Sequence, residues 1–219
     1  PPVIIDGTTV TTTPGTGGTV ITTIPVITSN RPEDPSTPNS ELADIPVLSA
    51  PDGKPILEVG LPIGVGVVAE GLPTGSSGEA ALAELGLRIQ RINAQTGQDN
   101  SLVNSGETFF ATMDPNEALF VQAITLTSGT GFNPAVPIIV HGSTRPEDGK
   151  QAIILDARGL PSGSVIQIDN VDFIAVAGNV RLIGGAGQNM AAGDGAAQWM
   201  VQGADDDVLH GGGGNDTVG

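Results

Sequence analysis

The chain has 219 residues, of which 38% are hydrophobic, enough to bury one good core or two small ones. Its 24 acidic and 8 basic side chains give a formal net charge of −16, which excludes nucleic acid as a partner because phosphate binding requires a positive surface. The chain has no cysteine, 32 glycines and 17 prolines, and abundant Thr, Val and Ile, so we expect a mainly β protein with many turns.

The chain begins with a predicted β-hairpin. Two β-rich runs, Thr8 to Thr13 and Thr19 to Thr28, flank the turn sequence Pro14 to Gly18. The polar face of the hairpin carries a row of threonines, which is ordinary for a solvent-facing strand and would also suit a surface that binds ice or sugar. The row consists of Thr9, Thr11, Thr13 and Thr22, with Thr28 as a potential further member.

A helix is predicted over residues 78 to 95, after an exposed loop at 29 to 44 and strand-like runs at 45–48, 55–61 and 65–70. Its apolar residues recur every three or four positions, which favours a helix packed on a sheet. The helix should end near Gly97. The residues of this stripe are Leu82, Leu85, Ile89 and Ile92.

A second, shorter helix is predicted to start at Asp114 to Glu117, because Pro115 suits the first helical position. Strands then return at 119–127, 136–141, 152–155, 164–168 and 171–176. We expect their inward residues to be Ile166, Ile168, Val171, Phe173 and Leu182.

This pattern predicts an irregular β-rich head domain over residues 1 to 150, transitional β rungs over 151 to 183, and a distinct C-terminal segment over 184 to 219. We expect the head to cover Trp199.

The sequence lacks the common signatures of secreted hydrolases. It has two histidines and neither H-E-x-x-H nor G-x-S-x-G. His141 ends a strand beside Ser143 and could activate it, but no third residue is identifiable, and a lone strand-end histidine is usually structural. His210 is interpreted as a surface residue. Paired carboxylates of a glycosidase stay open among 24 acids, although 3% aromatic residues provide few platforms for sugars. We therefore expect no enzyme.

A tetrapeptide occurs twice: Arg31 to Asp34 is repeated as Arg145 to Asp148. Each copy follows an apolar strand led by proline. The two copies could be matching carboxylate corners that bind calcium, marks of two related hairpins, or a coincidence in a proline-rich acidic chain.

The last thirty-six residues, Gly184 to Gly219, form four rows of nine without insertion or deletion. Compared with the pattern G-G-x-G-x-D-x-U-x, where U is a large apolar residue, the last row matches all five fixed positions. A flexible glycine-rich tail would not keep apolar residues nine positions apart. This inward column is Ala191, Met200, Leu209 and Val218, and the rows are GGAGQNMAA, GDGAAQWMV, QGADDDVLH and GGGGNDTVG.

In these rows the chain resembles the calcium-binding nonapeptide repeats of RTX (hemolysin-type) secreted bacterial proteins. The resemblance covers about a sixth of the chain and is strongest over Gly203 to Gly219. It implies a C-terminal parallel β-roll, or β-solenoid, in which six residues of each row form a turn and three form a short strand. Successive turns would then alternate between the two sides of the roll.

The turn residues suit calcium, which takes six to eight oxygen ligands from carboxylates and carbonyl groups. Alternating turns would pair Asn189 with Asp207 on one side and Gln198 with Asp216 on the other. Each pair offers one carboxylate and one amide, so we expect weak sites, or sites completed by further rows. The predicted calcium ligands are Asp207, Asp216, Asn189, Gln198, Gly203, Asp205, Gly212 and Gly214.

These features predict a calcium-binding structural or adhesive module of a large secreted bacterial cell-surface protein, such as an adhesin, a surface layer or an extracellular filament. Calcium would order the C-terminal roll and promote homotypic assembly or continuation of the repeat stack. The alternatives are a non-catalytic part of a secreted RTX enzyme or toxin, and a sugar- or ice-binding head.

The expected location is extracellular. The chain opens without a secretory signal peptide, and no apolar run is long enough to be a transmembrane segment. The resemblance implies type I secretion directed by a C-terminal signal. Because nothing of that kind follows Gly219, we expect a fragment of a longer protein.

Overall fold

Two packed β-sheets and a pair of helices make up the fold in the computed structural model, which describes residues 2–37, 39–96 and 100–219. The expectation of a mainly β protein is confirmed. The helices are α1 (Gly78–Thr96) and α2 (Ser101–Thr112). The strands are β1 (Val3–Ile5), β2 (Thr8–Pro14), β3 (Val20–Ile24), β4 (Ala43–Ser49), β5 (Pro55–Leu61), β6 (Val65–Gly71), β7 (Leu119–Ser128), β8 (Ile138–Gly142), β9 (Lys150–Gly159), β10 (Ser164–Asp169), β11 (Phe173–Ala177), β12 (Val180–Gly184), β13 (Met190–Gly193), β14 (Trp199–Val201), β15 (Val208–His210) and β16 (Thr217–Val218).

The two sheets change from antiparallel to parallel pairing along their length. One sheet has the order β1-β2-β3-β6-β7-β9-β11-β13-β15, and the other β16-β14-β12-β10-β8-β5-β4. Pairing is antiparallel up to β7 in the first sheet and up to β8 in the second, and parallel beyond those strands. From β8 onward, consecutive strands alternate between the two sheets. We call β8 to β16 the parallel stack.

One apolar core lies between the sheets and extends from Val10 in the hairpin to Met200 in the stack. Residues of the antiparallel and parallel parts contribute to it alike. The expected domain boundary at residue 150 therefore coincides with no break in either sheet. Within this core lie the predicted inward residues Ile166, Ile168, Val171 and Leu182, together with Ala191 and Met200.

The position of Phe173 differs from the expectation, because its side chain lies under the helices and not between the sheets. Successive strand residues point to opposite faces, and Ile174 takes the inward place. The ring of Phe173 stacks on Phe109 of α2 with 5.0 Å between centroids. This contact joins α2 to the stack.

The predicted helix over 78–95 is confirmed as α1, and its predicted end near Gly97 lies outside the described residues. Leu85, Ile89 and Ile92 are buried as the periodicity predicts, whereas Leu82 is exposed and Ala81 takes the buried position. Helix α1 contacts β7 and β9 of the nine-stranded sheet, and α2 contacts β11 and β13.

The short helix predicted at Asp114 to Glu117 is wrong, because this segment is a turn in which the Asn116 N–H donates to Asp114 Oδ1 at 2.8 Å. A short carboxylate side chain that bonds the backbone two residues on favours a turn over a helix. The second helix is α2 instead. Its Gly106 lets α1 approach closely, since a Cβ there would lie 2.5 Å from Ile89 Cδ1.

The N-terminal hairpin is confirmed, with β2 and β3 paired antiparallel through Thr11 and Thr23. Strand β1 extends it by pairing with β2. Strand β3 ends at Ile24, short of the predicted Thr28. No described helix is both long and apolar enough to cross a membrane.

Candidate cation sites in the turns of the parallel stack

The turns of the stack fall into two columns because the strands alternate between the sheets. The turns from the seven-stranded to the nine-stranded sheet, which we call the first edge, are residues 143–149, 170–172, 185–189 and 202–207. The return turns, which we call the second edge, are residues 160–163, 178–179, 194–198 and 211–216. Alternate nonapeptide rows therefore meet on the same edge.

On the first edge the structure brings Asn189 and Asp207 together. The parallel register pairs Phe173 with Met190 and Met190 with Val208, so the residues just before them, Asp172, Asn189 and Asp207, form one column. The Asn189 backbone N–H donates to Asp207 Oδ1 at 2.8 Å. The Asn189 side chain in turn donates from Nδ2 to the Val171 carbonyl at 2.5 Å.

The second edge brings Gln198 and Asp216 together by the same contact. The Gln198 backbone N–H donates to Asp216 Oδ1 at 2.9 Å. The Gln198 amide Nε2 donates to the Gly178 carbonyl at 3.0 Å and to Asp194 Oδ1 at 2.5 Å. Asp194 is buried and also accepts from the Ala196 N–H. Its oxygen Oδ1 is thus engaged in shaping its own turn.

Four side-chain oxygens of these turns are buried without a hydrogen-bond partner among the described residues: Asn189 Oδ1, Gln198 Oε1, Gln202 Oε1 and Asp207 Oδ2. Asn189 and Gln198 are only 3% and 2% exposed. A buried acceptor left unsatisfied costs about 1–3 kcal/mol, so each such atom in a native fold requires an explanation such as a water or an ion. All four are hard oxygen ligands, which is the chemistry that calcium prefers.

The remaining predicted ligands lie in the same turns, and they differ in what they do there. Asp205 Oδ2 accepts the Gly187 N–H at 3.0 Å, which ties two successive first-edge turns together. Gly212 and Gly214 have φ of 84° and 96°, a conformation that side chains disfavour. Gly203 is required for a different reason, because a Cβ there would lie 2.2 Å from the Gly185 carbonyl oxygen.

Among the described residues, no group of three or more His, Cys, Asp or Glu side chains is arranged to hold a metal ion. The turns instead combine single carboxylates with amide oxygens and nearby main-chain groups. Any cation bound here would therefore depend largely on neutral oxygen ligands.

The histidines have separate roles in the fold. His141 Nδ1 lies 3.2 Å from Asp169 Oδ2, and Ser143 donates its hydroxyl proton to Asp148, so these two side chains have different partners. His210 is not a simple surface residue, because its Nδ1 lies 2.9 Å from the Ser105 hydroxyl of α2. It links β15 to the helix layer. No pattern in the sequence indicates this contact, because α2 was not predicted.

Trp199 lies on β14 of the seven-stranded sheet, whereas the helices cover the other sheet. The guanidinium of Arg181, on the neighbouring strand β12, lies 4.4 Å from the centre of its ring. The indole is thus covered by a cation–π contact within the stack and not by a separate head.

In each copy of the Arg-Pro-Glu-Asp tetrapeptide, the arginine forms ion pairs with neighbouring acidic residues. Arg31 Nη1 contacts Asp6 Oδ1 at 2.7 Å, and Arg31 Nη2 donates to the Leu42 carbonyl at 2.5 Å. Arg145 contacts Asp52 at 2.9 Å and Asp148 at 2.8 Å. Each arginine therefore anchors a loop to a distant segment of the chain.

The threonine row of the hairpin is only partly on one face, since Thr22 is buried on the opposite side. Thr9 and Thr13 are exposed and Thr11 is half-buried. The register extends the exposed row from Thr11 through Thr23 to Thr125 of β7, with Val68 between them. The hairpin alternative therefore concerns a face of four strands.

A small acidic cluster surrounds His141 on the outer face of the seven-stranded sheet. Glu58 is paired with His141 in the register, and Asp169 lies on its other side. Burial is the main cause that raises the pKa of Glu58, and the negative charge of nearby Asp44 raises it further. Burial likewise raises the pKa of Asp44. The positive form of His141 opposes both shifts.

A raised carboxyl pKa means that the folded state holds the proton more tightly than the unfolded chain, so stability is highest below the unfolded pKa and is lost as the pH rises through the folded pKa. Glu58→Gln should therefore increase the free energy of unfolding at neutral pH. The gain should vanish as the pH falls below the ordinary carboxyl range, where Glu58 itself is protonated. Urea denaturation at several pH values measures this. Glu147→Gln, whose side chain is 68% exposed, is the control, and an equal gain there would contradict the burial argument.

Comparison of the chain with protein-family models, with curated proteins and with solved structures gives no match.

Proposed function

We propose that the chain is a structural or adhesive module of a secreted bacterial cell-surface protein, and that its parallel stack is a calcium β-roll. The observation that carries this proposal is the set of buried, unpartnered oxygens on Asn189, Gln198 and Asp207. They lie at the positions where the nonapeptide pattern places cation ligands. A cation between successive turns of the first edge would satisfy the oxygens of Asn189 and Asp207, and one on the second edge would satisfy that of Gln198.

The proposed ligand sets follow the two edges. On the first edge, Asp207 and Asn189 would contribute side-chain oxygens, with Asp205 and Gly203 in the same turn. On the second edge, Asp216 and Gln198 would do so, with Gly212 and Gly214 shaping the turn. Calcium accepts carboxylate, amide and carbonyl oxygens together, so one carboxylate for each pair of turns suits a weak site of the extracellular kind.

The charge distribution supports the need for a cation. All eight basic residues lie at or before Arg181, whereas five aspartates lie beyond it: Asp194, Asp205, Asp206, Asp207 and Asp216. Three of these aspartates are consecutive in one turn, where like charges repel one another, and a divalent cation would reduce this repulsion. We therefore infer that calcium orders the outer turns.

Two alternatives keep part of this proposal. A non-catalytic part of a secreted RTX enzyme or toxin would use the same calcium stack for a different protein. A sugar- or ice-binding head would use the exposed row of Thr11, Thr23 and Thr125. The second alternative does not account for the unpartnered oxygens of the turns by itself.

Calcium should increase the protection of the turn amides. In excess chelator, the amides of Asn189 and Gln198, which donate to Asp207 and Asp216, should exchange faster than in millimolar calcium, because the unpartnered oxygens of these turns then lack a cation. Hydrogen exchange with and without chelator measures this. Amides of the antiparallel strands, such as those of β6, are the internal control. Equal protection of the turns in both conditions would refute calcium binding.

The carboxylates at the sixth position of their rows should determine affinity. Asp207→Asn and Asp216→Asn keep an acceptor for the backbone N–H but remove the charge, so each should weaken calcium binding by about tenfold or more, equivalent to about 1.4 kcal/mol. Calorimetry measures the change. Asp206→Asn, an exposed neighbour with the same charge change, is the matched control. If Asp206→Asn weakened binding as much as Asp207→Asn, the assigned ligand positions would be wrong.

The outer end of the stack is suited to homotypic assembly, which we propose as a second consequence of calcium binding. Strands β15 and β16 are the edge strands of their sheets in the described chain. Their residues Val208 and Val218 are 46% and 47% exposed. An ordered edge with free backbone groups and exposed apolar side chains is a template for further strands.

Calcium should therefore promote association of this 219-residue chain. Sedimentation velocity across a calcium titration should show a shift from monomer to larger species. Replacing Val208 and Val218 by serine leaves the charge unchanged and should reduce the association, whereas Val68→Ser, on the exposed side of a central strand, should not. A fully ordered monomer at millimolar calcium would contradict the assembly proposal.

A further inference from the structure

Two aspartates of the first edge lie in one column, and each accepts a backbone N–H through one carboxylate oxygen. They differ in the surroundings of their other carboxylate oxygen. Asp172 Oδ2 accepts the Gln151 backbone N–H at 2.8 Å, as Asp207 Oδ1 accepts that of Asn189. The other oxygen of Asp172 receives the Lys150 ammonium at 2.8 Å. The other oxygen of Asp207 is buried and has no hydrogen-bond partner within the described chain.

Lys150 is well placed to act as a permanent cation. It directly precedes Gln151, so its side chain leaves the strand next to the backbone N–H that Asp172 binds. The hydrogen bond to Asp172 is the main cause that raises the pKa of Lys150, and the negative charge of Glu117 adds to it. The ammonium therefore keeps its proton at neutral pH.

The second edge begins in a related way. Arg158 Nη2 contacts Asp156 Oδ2 at 2.6 Å and interacts electrostatically with Asp194, in the turn that holds Gln198. Beyond Arg181 the chain has no lysine or arginine. Each edge thus has a basic side chain at the end nearest the antiparallel strands, and neither edge has one in its outer turns.

We propose that Lys150 is a tethered substitute for calcium at the inner end of the first edge. This inference rests on the proposed calcium binding of the outer turns. The ammonium neutralises Asp172 and orders the inner turn without metal, whereas the turn of Asp207 requires a free cation at the equivalent oxygen. The stack therefore has a boundary between a metal-independent inner part and a metal-dependent outer part. Loss of calcium would loosen residues 202–219 while β9 to β11 stay folded.

The direct test introduces a lysine beside the outer turn that holds the second aspartate. Gln188 precedes Asn189 as Lys150 precedes Gln151, and its side chain is exposed, so Gln188→Lys places an ammonium beside Asp207. In chelator, protection of the Asn189 amide should then rise by about tenfold or more over the wild type. Calcium affinity of this edge should fall, because the ammonium competes for the same oxygen. Gln90→Lys, an exposed position on α1, is the charge-matched control.

The reciprocal variant is Lys150→Met, which keeps most of the length of the side chain but removes the charge. The Gln151 amide should then become calcium-dependent: less protected in chelator, and recovered in millimolar calcium. Lys54→Met, whose ion pair with Asp52 lies outside the stack, is the control. If Lys150→Met lowered protection equally with and without calcium, or not at all, Lys150 would be an ordinary ion-pair partner and the inference would be overturned.

Measurements on the wild type distinguish failure of the proposed calcium function from failure of the tethered-cation inference. If calcium leaves the Asn189 amide of the wild type unchanged, the proposed calcium function fails. If calcium protects Asn189 in the wild type, but Gln188→Lys gives no more protection in chelator than Gln90→Lys, only the tethered-cation inference fails.

Discussion

One hydrogen bond repeats through the stack and fixes the relation between its turns. A carboxylate oxygen accepts the backbone N–H of the preceding residue in the same column, at Asp172, Asp207 and Asp216. This bond satisfies a backbone amide at the start of a strand or just before it. It also places a second, charged oxygen in each turn. The proposed binding of a cation in the outer turns rests on that second oxygen at Asp207, because an unpartnered buried carboxylate oxygen is costly.

The antiparallel part provides the template on which the parallel stack is built. A parallel strand pair needs a long crossover and gains its contacts only after the loop has closed, so such pairings form slowly without a preformed edge. Here β7 and β8 present such edges to β9 and β10, and the shared core from Val10 to Met200 ties the two parts together. Helix α2 also holds the stack from outside, because Phe109 stacks on Phe173 and Ser105 is hydrogen-bonded to His210.

Charge is distributed unevenly between the two ends of the molecule. Basic side chains pair with acids throughout the antiparallel part and at the inner turns, as with Arg31, Arg145 and Lys150. The outer turns keep acids alone. Under the proposed calcium function, the inner end of the stack would be ordered without metal, and the outer end would respond to divalent cations.

The sequence by itself determined the features that depend on local periodicity: the mainly β class, the hairpin, helix α1 and the nine-residue spacing that buries Ala191 and Met200. These follow because a repeating pattern specifies which face of an element is apolar. Only the tertiary structure decided the features that depend on register between distant segments. Helix α2, with Gly106 in its middle, is stabilised by packing and not by propensity. Lys150 meets Asp172 because the irregular turns between β9 and β11 bring residues 22 positions apart into one column, and no local pattern encodes that distance.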